Sequence, residues 1–487
     1  FFKQKTAYEI SLGLVGSEMC IRDRHLEMIM TISSDSGLKK LQDSALEHLW
    51  VYLREPSDMA EKGEPQIFVD GKGCQVTDAL GNTYIDAMSG LWLKNVGYGR
   101  TEIADAAYEQ MLKLTYMPLG STNEPAVRLA EKIASITPGD LSRCFFTSGG
   151  SESVETAMKL SRAYFKRIGQ PSRTKFISRK GSYHGATFGA LSLGGTANFP
   201  KEDYEPLLAG SFHVPQPNPY RCEFGGQSPE ECAEKCVNAV EEMIKFQGPE
   251  TVAAVIGEPV SSPLGAIVPA PNYWPMLRDI CDKYGCLLIA DEVITGFGRT
   301  GKMFACEHWG ITPDMMTVAK GITSGYIPMG GTILRKPIAD VFVGSPKSAF
   351  RHVITFGGHP VAAAASLKNI EIMEREHLAE NSAQMGTYLL DGLNELKEKH
   401  NMIGDARGLG LFCGLDIVKD RTTKEHFDPE AEVGSRLTQA FSNQGILLRG
   451  GDFMNIMPPL CVTSGEIDDI ISAMDEGFSQ VSKDLSL

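Results

Sequence analysis

The feature that most constrains this chain is a recurring unit: a short apolar run, a polar or glycine-rich break, then a helical stretch. RCFFT (143–147) has strand character, SGGSE breaks it, and Val154, Ala157, Met158, Ser161 and Phe165 then recur at helical spacing. The unit returns with TKFISR (174–179) before KGSYHG, TVAAVIGEPV (251–260), a helix near 272–284 stopped by Gly285, CLLIADEV (286–293) and DMMTVAK (314–320). Such alternation predicts βαβ units around a mostly parallel sheet, an α/β fold whose ligands gather beyond the carboxyl ends of the strands. The polar residues that end these runs are Ser148, Ser182 to His184, Glu258, Asp291 and Lys320. They are expected to converge.

The flanks have a different pattern. Residues 66–86 carry two turn signals, Asp70-Gly71 and Leu80-Gly81-Asn82, between alternating apolar residues, which predicts a small antiparallel meander. The last third predicts long helices at about 359–377 and 379–400, short strands in LGLFCGLDI and GILLR, and a closing helix near 464–482, an α+β arrangement. Residues 1–27 begin without Met and show no amphipathic pattern; they are expected to be a non-native or disordered leader outside the fold. Their longest apolar stretch, Ile10 to Gly16, is too short to span a bilayer.

Composition excludes several function classes. The 47 Lys and Arg against 61 Asp and Glu give a net charge of −14, so no long-range field favours nucleic acid or an acidic membrane surface. An anionic ligand must be held by local groups. Eleven irregularly scattered cysteines in 487 residues argue against a disulfide framework and predict a reducing, cytoplasmic setting. Cys232 and Cys236 lie one helical turn apart with Cys222 nearby, but no fourth ligand stands at a zinc-like spacing, so no metal is expected.

An Asp that ends one buried strand and a Lys 29 positions later that ends another are costly at a sheet edge unless partnered. A mutual salt bridge between Asp291 and Lys320 is one solution. The other is a bound pyridoxal phosphate (PLP), with Lys320 as its Schiff-base lysine and Asp291 paired to the pyridine nitrogen, which keeps the ring protonated as an electron sink. Gly149, Gly150 and Ser151 open a helix, where bare N–H groups and the positive helix end suit a phosphate; a plain turn with a serine cap explains the same residues. Glu152 and Glu155 in the first turn suit the helix dipole, and Glu155 is spaced to pair with Lys159. The chain has neither G-x-x-x-x-G-K-[ST] nor G-x-S-x-G, against a nucleotide P-loop and a hydrolase elbow.

Taken together, the motifs resemble those of the class III aminotransferases, fold type I PLP enzymes, and in particular the ω-amine:pyruvate branch. The resemblance runs from about Ala45 to Ser479. It rests on GLWLKNVGYGR (90–100), FFTSGGSESVETAMKLSR (145–162), SYHG (182–185), LLIADEVITGFGRTG (287–301), TVAKGITSGYIPMGG (317–331), HVITFGGHP (352–360) and GILLRGGDFMNIMPPL (445–460), in the family's order. It implies a mostly parallel, seven-stranded-type large PLP-binding domain over 90–350. A smaller, discontinuous α+β domain would be built from 28–89 and 351–487.

By the same resemblance, Lys320 and Asp291 take the two roles above. Gly150 and Ser151 resemble the phosphate cradle, and Tyr183 and Val293 the groups on the two cofactor faces. Glu258, in GEP, matches a carboxylate that positions Asp291 or Tyr183, and His184 is assigned a structural place. Thr355 matches a residue that reaches the phosphate from another subunit, which implies a homodimer with shared sites, or a tetramer of such pairs. Trp92 matches a pocket aromatic, while Tyr52, Leu119 and Gly120 would border the pocket. Arg449 resembles the mobile arginine that binds the carboxylate of pyruvate. One residue, where relatives commonly have two, separates it from the Gly451-Asp452 turn. The implied reaction is ping-pong transfer of an amino group from a primary amine to a keto acid, with pyruvate expected. Taurine, β-alanine or diamino acid transamination, aminomutase chemistry and decarboxylating chemistry remain open alternatives.

Overall fold

A computed structural model of the chain describes residues 35–117, 121–195 and 201–485. The expected leader 1–27, Leu119 and Gly120 lie outside the described residues. The meander forms as anticipated, with β1 (Phe68–Lys72), β2 (Gln75–Asp78) and β3 (Thr83–Asp86) paired antiparallel in sequence.

The large sheet has seven strands: β4 (Leu141–Thr147), β5 (Lys175–Arg179), β6 (Ser211–Val214), β7 (Val252–Gly257), β8 (Leu287–Asp291), β9 (Met315–Val318) and β10 (Gly330–Arg335). Their order is β4-β10-β9-β8-β7-β5-β6. β9, β8, β7, β5 and β6 are mutually parallel, and β10 runs antiparallel to both neighbours. Every residue of β7, β8 and β9 is buried, as strands covered on both faces require.

The covering helices follow the sequence pattern. The Gly150–Arg167 helix buries Val154, Ala157, Met158, Ser161 and Phe165. The Tyr273–Tyr284 helix buries Trp274, Leu277 and Cys281, and Gly285 at φ 63° ends it in the left-handed conformation that glycine adopts without strain. Cys232 and Cys236 sit in the buried face of the Pro229–Gln247 helix, where the Cys236 thiol donates to the Gln216 carbonyl at 3.3 Å.

In the last third, helices span Pro360–Arg375 and Leu378–Lys399. LGLFCGLDI is not one strand. It straddles a hairpin between β11 (Ile403–Leu409) and β12 (Phe412–Ile417), because Gly410 takes φ 57° and its backbone packs against Thr300 too closely for a Cβ. GILLR contributes only β13 (Ile446–Leu447), which adds in parallel to β3 and so joins sequence-distant segments in one sheet. β14 (Phe453–Ile456) pairs with β12, and the closing helix Ser464–Asp484 starts with a Thr463/Glu466 capping box. No helix among the described residues is long and apolar enough to cross a membrane.

Candidate active site

Strand direction dictates where the chemistry lies. β4, β5, β7, β8 and β9 all end at one edge, and β10 begins there, with Gly330 opposite Thr147 and Gly331 opposite Val318. A Cβ at Gly330 would lie 2.7 Å from both Ser153 Oγ and Thr147 Oγ1, so glycine is required for this close approach.

Asp291 is the last residue of β8, opposite Thr317 of β9, and is 3% exposed. Its Oδ1 accepts from the Thr317 hydroxyl at 2.9 Å and the Val293 N–H at 3.2 Å. Its Oδ2 lies 2.7 Å from His184 Nδ1. Three donors thus offset the burial of a carboxylate that still has lone pairs to offer. The first expectation for its partner, a direct salt bridge to Lys320, is not met: no ion pair or hydrogen bond joins Lys320 Nζ to another described residue. Lys320 Nζ stands 5.1 Å from the centroid of the Trp92 ring, over its face. Burial pushes this amine down to about 8, against the opposing pull of the Asp291 charge. Lys320 also holds φ 49°, a left-handed conformation that costs a non-glycine residue energy.

At the helix start, Gly149 is extended and the 18-residue Gly150–Arg167 helix opens with Gly150 and Ser151. A Cβ on Gly150 would come within 2.9 Å of Val293 Cγ1, so the turn and Val293 are in direct apposition. Ser151 Oγ accepts from the Ala186 N–H at 3.1 Å, bringing the SYHG turn onto the helix start. Glu152 accepts from the Ser148 N–H at 2.7 Å. Glu155 does not pair with Lys159 as its spacing predicted. Its Oε1 accepts from the Thr187 hydroxyl at 2.8 Å and the Gly189 N–H at 2.9 Å, capping the Phe188–Leu193 helix instead.

The remaining expected residues divide into two groups. Tyr183 is half-buried; its N–H donates to Glu258 Oε1 at 3.0 Å, and burial together with the Asp291 charge pushes its phenol up. Glu258 therefore contacts Tyr183 directly and reaches Asp291 only through His184. His184 is more than a structural filler, since it bonds Asp291 itself. Trp92 holds φ 60°, packs beside the buried cluster of Val260, Ala266, Phe412 and Met457, and has a buried Nε1 with no acceptor. Tyr52 is 80% exposed, Thr355 is exposed with its carbonyl accepting from the Tyr116 hydroxyl at 3.1 Å, and Arg449 is exposed with its N–H directed at Met88 Sδ. The single chain does not bury these three.

Two arginines escaped the sequence reading. Arg179 ends β5 and is buried against Glu258. Arg299, in GFGRTG, is fully buried; it donates to the carbonyls of Leu411 and Pro458, to Ser89 Oγ and to Asn95 Oδ1, tying three chain segments beside the Trp92 loop. Burial pushes its guanidinium down to about 9. An arginine inside an apolar or glycine-rich run was the available signal.

The donor set fits PLP. A buried carboxylate suits a protonated ring nitrogen, an unpaired amine of lowered basicity suits an aldehyde, and a helix N-terminus with two glycines suits a phosphate. The seven-stranded sheet and its C-terminal edge are those of the fold type I PLP-dependent transferases. The family model for class-III aminotransferases matches residues 59–478. The chain belongs to that family and is an aminotransferase. It is 40% identical over 456 residues to the taurine–pyruvate aminotransferase of Bilophila wadsworthia, covering 90% of this chain and 97% of that one. A thermostable (S)-enantioselective ω-transaminase from Thermomicrobium roseum superposes with a TM-score of 0.86 at 40% identity, covering 91% of this chain and 98% of that one. An amine transaminase from an uncultivated Pseudomonas species, solved with PLP bound, gives a TM-score of 0.86 at 37% identity over 89% of this chain and 98% of that one.

Proposed function

We propose that this protein moves the amino group of a primary amine to pyruvate by a ping-pong cycle, using PLP held between Lys320 and Asp291. The observation that carries the reading is the geometry of those two residues: Asp291 is buried and Lys320 half-buried, neither is paired with the other, and both stand at the strand edge that the helix start at Gly150 also faces. Likeness to a taurine–pyruvate aminotransferase and to two amine transaminases supports the substrate classes.

PLP supplies an electron sink for the charge left when the substrate carbon loses its proton. The chain does the rest. Asp291, oriented by Thr317, Val293 and His184, would hold the proton on the ring nitrogen. The N–H groups at Gly150 and Ser151 would hold the phosphate, and Val293 and Tyr183 would pack against the ring. Lys320 Nζ, its basicity lowered by burial, would take the proton from the substrate carbon and deliver it to the cofactor's aldehyde carbon. Trp92 walls the pocket beside Lys320 and excludes water. The exposed Trp50, Tyr52, Leu53, Tyr108 and Leu112 support a homodimer in which a second copy covers them and Thr355 completes the neighbouring site. Ten described cysteines are all free thiols, in keeping with a reducing, cytoplasmic setting.

Arg449 is assigned the carboxylate of pyruvate. A charge-assisted pair of this kind contributes about 1.5–3 kcal/mol, so Arg449→Ala should raise KM for pyruvate on the order of 10- to 150-fold and leave deamination of an uncharged amine nearly unchanged. An unaltered KM for pyruvate would remove Arg449 from the role. The donor is identified by screening an aryl-alkyl amine, β-alanine, taurine, putrescine and a diamino acid against pyruvate and 2-oxoglutarate. Alanine formation from pyruvate is the expected result, and strict dependence on 2-oxoglutarate would refute the acceptor.

A further inference from the structure

Asp291 is the near end of a buried row of charged groups drawn from three adjacent strands. His184 Nδ1 lies 2.7 Å from Asp291 Oδ2, and its Nε2 lies 3.9 Å from Glu258 Oε2 with no closer acceptor. The same Glu258 oxygen accepts from Arg179 Nη2 at 2.7 Å, and that nitrogen also donates to the Glu258 carbonyl at 2.5 Å. The other Glu258 oxygen accepts from the Tyr183 N–H at 3.0 Å and the Ser261 hydroxyl at 3.2 Å. The His184 side chain is 0% exposed, so it has no contact with bulk solvent. A Cβ on Gly257 would touch the Arg179 guanidinium at 3.2 Å, so the strand end is shaped around it.

We propose that Arg179 is a positioning residue for the reaction: by holding Glu258 ionised it keeps His184 charged, and the charged imidazole keeps the shared proton on the cofactor ring rather than on Asp291. The argument is electrostatic order. Arginine, carboxylate, imidazole and carboxylate alternate in sign only if His184 carries both ring protons. An imidazolium 2.7 Å from Asp291 stabilises the carboxylate more than it repels a ring nitrogen on the carboxylate's far side, because attraction and repulsion both fall with distance. If Arg179 is removed, Glu258 loses the cation that hydrogen-bonds it at 2.7 Å and keeps only His184 at 3.9 Å, so it takes up a proton more readily. His184 then loses the charge that retains its second proton, and Asp291 becomes the more basic partner of the ring.

The other groups around the row fit this order. Burial opposes a charge on His184, but Glu258 and Asp291 outweigh it and raise the imidazole above its ordinary value. Burial likewise opposes the Glu258 charge, and His184 and Arg179 outweigh it, holding the carboxyl below its usual range. His213 on β6 would oppose a charged His184 but is itself lowered, by burial first and then by Lys201. Tyr273 borders Arg179 and favours its charge, while Lys320 stands on the other side of Asp291.

This inference rests on the PLP reading above, and the test separates the two. Holoenzyme is prepared with ring-15N pyridoxal phosphate for the wild type, Arg179→Gln, Arg179→Lys, Glu258→Gln and the Arg179→Gln/Glu258→Gln double variant. The ring-nitrogen shift, the His184 side-chain 15N shifts, cofactor occupancy and kcat are measured. Arg179→Gln and Glu258→Gln should each move the ring nitrogen toward the neutral-pyridine shift, deprotonate His184 and lower kcat at least tenfold. Arg179→Lys should keep most of the wild-type signature. The double variant should match either single one, since both break one link. Folded, loaded variants with wild-type ring and imidazole shifts would overturn the proposal, whatever their stability. If Arg179→Gln fails to fold, Glu258→Gln decides on the same readouts. A wild type that takes up no labelled cofactor rejects the PLP reading itself.

Discussion

Lys320→Ala should abolish transamination while the protein stays folded and still takes up PLP without a covalent bond. The substitution removes an amine at the strand edge that has lowered basicity and no ionic partner among the described residues. No described neighbour can substitute: the ring beside it, Trp92, has no basic nitrogen, and Asp291 is held by three donors. The expected loss is several orders of magnitude in kcat, because both covalent attachment and proton transfer at the substrate carbon depend on this atom. The fold should tolerate it, since an unpaired buried ammonium is replaced by an apolar group and φ 49° is strained for lysine and alanine alike. Absorbance of the loaded variant, its circular dichroism and alanine formation from pyruvate check the three parts. Retained turnover would reject the assignment.

Asp291→Asn preserves shape and removes charge. A carboxylate about 4 Å from a protonated ring nitrogen, at an effective dielectric near 20, attracts it by on the order of 4 kcal/mol before desolvation. Losing most of that should cost roughly 100- to 1,000-fold in kcat, since 1.4 kcal/mol is a factor of ten. The amide also faces His184 with a group that can present either its oxygen or its NH2, so the 2.7 Å contact is weakened as well. Cofactor affinity should fall less than kcat, because the helix start at Gly150 and Ser151 is untouched. Stopped-flow measurement of the amine half-reaction isolates the step, and a rate within threefold of wild type would count against ring protonation by Asp291.

Much of this site could be read from the sequence for a simple physical reason. Asp291 and Lys320 interrupt or follow runs in which every neighbour is buried, so each stood out as a charge in need of an explanation. The parallel strands, the helix opening at Gly150 and the stop at Gly285 are local matters of period and backbone freedom, and the structure places them as expected. What escaped depends on lateral neighbours. Glu258 and Asp291 were expected to converge as strand ends, but Arg179 joins them only because β5 lies next to β7 in the sheet. No periodicity reports that order. The antiparallel β10 and the turn at Gly410 were missed because a short strand and a tight hairpin resemble the apolar runs beside them. Glu155 was assigned to Lys159 by helical spacing, but the backbone N–H groups of the next helix compete for it successfully. Thr355 is exposed in the single chain, and the role expected of it needs a second copy; Tyr52, expected to border the pocket, is exposed as well.

The central claim is that one amine, at position 320, bonds the coenzyme. Freshly loaded protein is reduced with borohydride, digested and mapped by mass spectrometry. The account predicts a phosphopyridoxyl group on Lys320 and on no other lysine at comparable yield. A label on a different residue, or none at all in protein that has taken up the coenzyme, would contradict it.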